Sequence, residues 1–175
     1  MPRPDERRVS RLDVNILRLQ AQRACLDQAA EMIAGVTGPV LELGLGNGRS
    51  YDHLRAICPG REIFVLDREV AAHPDCIPDD DHMILGDFRD TLPGVVTRFR
   101  GTVALLHADV GSANLERDAR LAAAIAEHLP ALLCPGAMVA ADRDVTFAGA
   151  AALALPDGFA AGTYFLYRMG AGPAP

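Results

Sequence analysis

Three glycines at alternate positions, Gly44, Gly46 and Gly48, separate an apolar run from a segment with helical spacing, and Glu42 stands two residues ahead of them. Glycine tolerates the positive φ of a tight turn and lets a ligand approach the backbone closely. A helix that starts there offers unpaired N–H groups, which suit a carboxylate or a phosphate. Further along, apolar runs end in Asp67, Asp87, His107 and Asp142. Asp67 lies 19 residues after Gly48, the spacing at which an acid accepts hydrogen bonds from both hydroxyls of a ribose. His107, Asp109 and Asp142 are the candidate catalytic residues, because a general base must be a group that can take a proton near neutral pH or is held close to one that loses it.

These side chains need a sheet to hold them. Near-continuous apolar runs at 39–43, 62–67, 83–85, 102–107 and 137–142 read as strands buried on both faces. Helix candidates at 48–58, 88–98 and 113–131 alternate with them. That order predicts an α/β fold, a doubly wound and mostly parallel sheet with helices on both faces. The carboxyl edge of such a sheet is where ligands bind, and it is where the five polar strand ends fall. A last run at 163–167, after the turn signal Pro156-Asp157-Gly158, is expected to add an antiparallel strand. Residues 11–34 read as a helix whose stripe of Leu12, Ile16, Leu19, Leu26, Ala30 and Ile33 packs on the sheet edge or on a partner subunit. The expected organisation is a flexible arm at 1–10, one domain at 11–169 and a flexible tail at 170–175.

Composition narrows the chemistry. The net charge of −6 argues against nucleic acid as a partner, since phosphates require a basic face. The basic cluster Arg3, Arg7, Arg8 and Arg11 reads as a solvated arm. No lysine is present, which excludes a Walker A loop and Schiff-base chemistry. No apolar run is long enough for a membrane span, and the N-terminus lacks the apolar core of a signal peptide. Cys25, Cys58, Cys76 and Cys134 are scattered and read as free thiols of a cytoplasmic protein.

The run Glu42-Leu43-Gly44-Leu45-Gly46-Asn47-Gly48 resembles motif I of the class I S-adenosylmethionine (SAM)-dependent methyltransferases, Glu/Asp-x-Gly-x-Gly-x-Gly. Dinucleotide binders space the glycines differently, as Gly-x-Gly-x-x-Gly. The resemblance runs through roughly residues 38 to 145 and implies a Rossmann-like fold with SAM as cofactor. It implies cofactor contacts from Glu42, Gly44, Leu45, Gly46, Asn47, Gly48, Arg49 and Ser50, then from Asp67, Arg68, Asp87, Phe88 and His107. Asp87 would take the adenine amino group and Phe88 would line the adenine pocket. The carboxylates at 42, 67 and 87 form an acidic rim, which favours a sulfonium over a pyrophosphate.

The metal-dependent catechol-type branch is not matched. Val110 stands where that branch has lysine, and Arg143 stands where it has asparagine, so no metal site is expected. The Asn/Asp-Pro-Pro-Tyr motif of amino methyltransferases is absent as well. The expected activity is methyl transfer to a small-molecule acceptor, with no membrane partner and with a homodimer as the expected assembly. Two alternatives stand beside it: a non-catalytic SAM-binding protein, and an NAD-type oxidoreductase.

Overall fold

The computed structural model describes residues 8–112 and 114–171. Arg3 and Arg7, most of the expected arm and the end of the expected tail lie outside the described residues.

Helix α1 (Arg11–Met32) opens on a capping box, in which the Ser10 side chain accepts from the Asp13 N–H and Asp13 returns a bond to the Ser10 N–H. The chain then alternates strand and helix: β1 (Val40–Leu43), α2 (Arg49–Ile57), β2 (Ile63–Asp67), a short 3₁₀ turn, β3 (Met83–Leu85), α3 (Phe88–Phe99), β4 (Val103–Ala108) and α4 (Leu115–Leu132). It ends in β5 (Leu133–Ala141), β6 (Ala150–Ala152) and β7 (Phe165–Met169).

The seven strands lie in the order β3-β2-β1-β4-β5-β7-β6. The first five are mutually parallel, and β7 runs antiparallel to both β5 and β6. The parallel sheet with an antiparallel end agrees with the sequence expectation; β6 was not anticipated, being three alanines with no apolar signal of its own. The strand order reverses direction between β1 and β4. A right-handed crossover must change faces at such a reversal, so α1 and α2 pack together on one face while α3 and α4 pack together on the other. The reversal also leaves a crevice at the carboxyl ends of β1 and β4.

The expected single stripe of α1 divides in two. Its second half is buried, with Ala21, Cys25, Leu26 and Ala29 fully covered, and packs across β4, β5 and β7 rather than at a sheet edge. Its first half projects from the sheet: Leu12 is 68% exposed and Ile16 46%, beside exposed Val9, Val14 and Leu17. Helical periodicity marks which residues share a face, but it does not tell how far the sheet beneath extends.

Burial separates the two halves energetically. Leu26→Ala is expected to lower the unfolding free energy by about 2–5 kcal/mol. Leu12→Ala, in the same helix, is expected to change it by less than about 0.5 kcal/mol. Urea-unfolding midpoints of the two variants check the contrast.

Candidate active site

The glycine turn adopts the backbone that only glycine takes easily, with φ of 95° at Gly44, 50° at Gly46 and 79° at Gly48. A Cβ on Gly44 would meet the Asp109 carbonyl oxygen at 2.6 Å, so the tip of β4 presses on the turn from behind. A Cβ on Gly46 would meet nothing within 4 Å, so the turn opens into free space. Gly48 is the N-cap of α2 and supplies no side-chain cap, which leaves the first N–H groups of that helix without protein acceptors among the described residues.

Asp67 fastens this turn. Its Oδ2 accepts from the N–H of Leu45 at 2.7 Å and of Gly46 at 3.2 Å, and its Oδ1 accepts from the N–H of Arg68. A carboxylate has about four acceptor sites, so capacity remains, and Asp67 lines the cleft that the turn opens into.

That cleft has a volume of ≈ 440 Å³ and sits at the strand-order reversal. Gly44, Gly46, Asp67, Arg68, Asp87, Phe88 and Asp109 line it, all of them singled out from the sequence. Val110, Gly111 and Ser112, from the 110–114 loop that the sequence offers as a source of substrate contacts, complete the lining with Arg89, Arg117 and Leu121, and these last three were not foreseen. The acidic rim expected from the sequence is corrected here: Arg68, Arg89 and Arg117 face the same space as Asp67, Asp87 and Asp109, so the lining charges balance. Asp87 also caps α3, accepting from the Arg89 N–H at 3.0 Å. Charge alone therefore does not choose between a sulfonium and a pyrophosphate ligand.

The remaining predicted residues lie behind or beside the cleft. Glu42 and His107 are completely buried and face one another across β1 and β4, where they are register partners. Glu42 Oε1 accepts from the Ser50 hydroxyl and lies 3.4 Å from His107 Nδ1, while Glu42 Oε2 and His107 Nδ1 have no hydrogen-bond partner. On its other side, His107 Nε2 lies 2.7 Å from the Tyr164 hydroxyl and 3.3 Å from Gln22 Nε2. Gln22 in turn donates to Asp109 Oδ2 at 2.8 Å, and Arg18 Nη1 lies 3.1 Å from both Asp109 oxygens.

Burial, followed by the negative charges of Asp109 and Asp142, pushes the Tyr164 hydroxyl well above the ordinary phenol value. A protonated buried hydroxyl requires an acceptor, and His107 Nε2 is the one in reach. This assigns the His107 proton to Nδ1, facing Glu42.

Asp142 is also buried. Its oxygens accept from the N–H groups of Val110 at 3.2 Å and Gly111 at 3.0 Å, and Arg143 Nη1 lies 3.1 Å away. Burial, then the charge of Asp109, pushes its carboxyl up, against Arg143 and the two amides. Asp142 thus shapes the loop that walls the cleft and does not line it. Arg143 also pairs with buried Asp118 at 3.0 Å. Among the described residues no group of three or more His, Cys, Asp or Glu side chains is placed to hold a metal ion.

Of the three candidate bases, only Asp109 lines the cleft. Arg49 and Ser50 line a different cavity, between α1 and α2. Leu45 is buried and Asn47 exposed on the turn, with no contact to the cleft. Gln22 and Tyr164 were missed. Gln22 had a signal, a polar residue between Leu19 and Leu26 on the apolar stripe; Tyr164 had none, because its partner lies 57 residues away in the chain.

A family model described as S-adenosyl-L-methionine methyltransferase matches residues 9–169. The crystal structure of an S-adenosyl-L-methionine methyl transferase from Silicibacter pomeroyi DSS-3 is similar at 46% identity and TM-score 0.88, over 92% of this chain and 99% of that one. The human methyltransferase-like protein 13 in complex with SAH shares the fold at 13% identity and TM-score 0.52, over 91% of this chain and 82% of that one. No curated protein matches.

The buried chain of hydrogen bonds predicts a measurable cost. Tyr164→Phe removes the nearer partner of His107 Nε2 with little change of shape, and it is expected to lower stability by about 1–3 kcal/mol in urea unfolding.

Proposed function

The chain belongs to the S-adenosyl-L-methionine methyltransferase family, and from that premise we propose that it transfers the methyl group of SAM to a small-molecule acceptor, with the cleft at the tips of β1 to β4 as the cofactor site. The NAD-type alternative is set aside by the family. The observation that carries the site assignment is the turn at Gly44 and Gly46, which opens onto the cleft where a Cβ at Gly46 would meet nothing.

The residues present fit the cofactor. The uncapped N-terminus of α2 suits its carboxylate. The free acceptor capacity of Asp67 suits the ribose hydroxyls, Asp87 suits the adenine amino group, and Phe88 gives the base an apolar wall. When bound, SAM supplies a methyl group on a positively charged sulfur that leaves as a neutral thioether.

The contribution of the protein is mainly positioning, which for a two-partner displacement is worth several kcal/mol. Asp109 is the one acidic candidate in contact with the cleft on the side that α1 covers. We assign it the proton-accepting or acceptor-orienting role, with Arg18 and Gln22 fixing its carboxylate. His107 acts through Tyr164 and Gln22 on that carboxylate and is a positioning residue. Asp142 positions the backbone of Val110 and Gly111. A small acceptor is supported by the net charge of −6, which disfavours polynucleotides. No helix among the described residues is long and apolar enough to cross a membrane.

Calorimetric titration is expected to give binding of SAM and S-adenosylhomocysteine (SAH) and none of NAD. Asp67→Ala is expected to weaken SAM at least about five-fold, since it removes a charge-assisted acceptor and loosens the turn. Unchanged affinity in that variant would remove the ribose assignment.

A further inference from the structure

The first half of α1 is a helix that its own fold does not cover. Every residue from Arg11 to Leu17 is exposed, which is nearly two turns with no buried side. The stretch is nevertheless fixed as helix, because the Ser10 hydroxyl accepts from the Asp13 N–H at 3.0 Å and closes the capping box. Its composition does not suit a solvated helix. Val14, Asn15 and Ile16 are weak helix formers, and short helices gain most of their stability from packing an apolar face.

Among the described residues nine large apolar side chains are exposed, and five of them are Val9, Leu12, Val14, Ile16 and Leu17. They are therefore a patch and not isolated surface residues. Val9, Leu12 and Ile16 follow one another by three and four residues and share one side of the helix; Val14 and Leu17 share another. A helix apolar on more than one side is built to be enclosed.

The size of the patch matches a second copy. At exposures of 44% to 68%, the five side chains leave on the order of 500 Å² of apolar surface. A twofold pair covers the patch twice, on the order of 1,000 Å². With an apolar share of about 60%, that corresponds to roughly 1,700 Å² in total, within the usual range of a stable interface. The charged neighbours are engaged within their own copy, Asp13 by Ser10 and Arg18 by Asp109, so neither opposes its counterpart across a twofold axis.

We propose that the chain forms a twofold homodimer through the first half of α1, with Val9, Leu12, Val14, Ile16 and Leu17 of each copy covered by the other. The contact is isologous and closes at two copies. In a separate copy Leu12 contributes little, so Leu12→Ala is neutral to unfolding below the dissociation constant and costs stability above it.

Light scattering coupled to gel filtration, with sedimentation across a dilution series, tests the proposal. At micromolar concentration the chain is expected to run at twice its 18.6 kDa mass. Leu12→Glu and Ile16→Glu are each expected to raise the dissociation constant at least about ten-fold, with unchanged far-ultraviolet circular dichroism because both side chains are exposed. Leu115→Glu, at an equally exposed leucine on α4, is expected to leave the dimer intact. A single-copy mass for the unaltered chain at micromolar concentration overturns the proposal and leaves this face to an unlike partner. A dimer indifferent to both α1 substitutions, or one lost equally in Leu115→Glu, overturns it as well.

Discussion

A carboxylate without exposure to water sits in the middle of the sheet, at the end of β1. Glu42 costs free energy there unless partners surround it. The parallel register of β1 and β4 supplies one partner by setting His107 directly opposite, and the first turn of α2 supplies another in Ser50. From His107 the polar chain continues through Tyr164 and Gln22 to Asp109 and Arg18. It draws on β1, α2, β4, the residue before β7 and α1. An interior arranged in this way has few alternatives, because displacing any member strands another buried polar atom.

The same chain explains the position of α1. Its buried half packs by small apolar side chains, but Gln22 and Arg18 fix its rotation by reaching the tip of β4. α1 thereby walls the cavity against α2 and, through Arg18 and Gln22, holds the Asp109 carboxylate at the edge of the cleft. The carboxylates divide the remaining work. Asp67 shapes the glycine turn while keeping acceptor capacity toward the cleft, and Asp142 shapes the opposite wall through the Val110 and Gly111 amides.

Much of this was legible along the chain. The alternation of apolar runs with helical spacing specified the parallel sheet, since strands covered on both faces leave no polar alternation. The glycine turn was legible because φ between 50° and 95° at three alternate positions restricts those positions to glycine. Asp67, Asp87 and Asp109 line the cleft, as the carboxyl ends of strands in an open parallel sheet lead one to expect.

Residue order and type thus settled the sheet, the turn and the family resemblance, all of which depend on neighbours within a few positions. Side-chain direction and distant pairing belonged to the folded chain. Glu42 and His107 stand one residue before the ends of β1 and β4, and their side chains are buried, since alternate positions face opposite sides of the sheet and α1 covers one of them. Tyr164 meets His107, and Gln22 meets Asp109, only after 57 and 87 intervening residues have closed their loops. The arginines that balance the cleft acquire meaning only from what packs next to them.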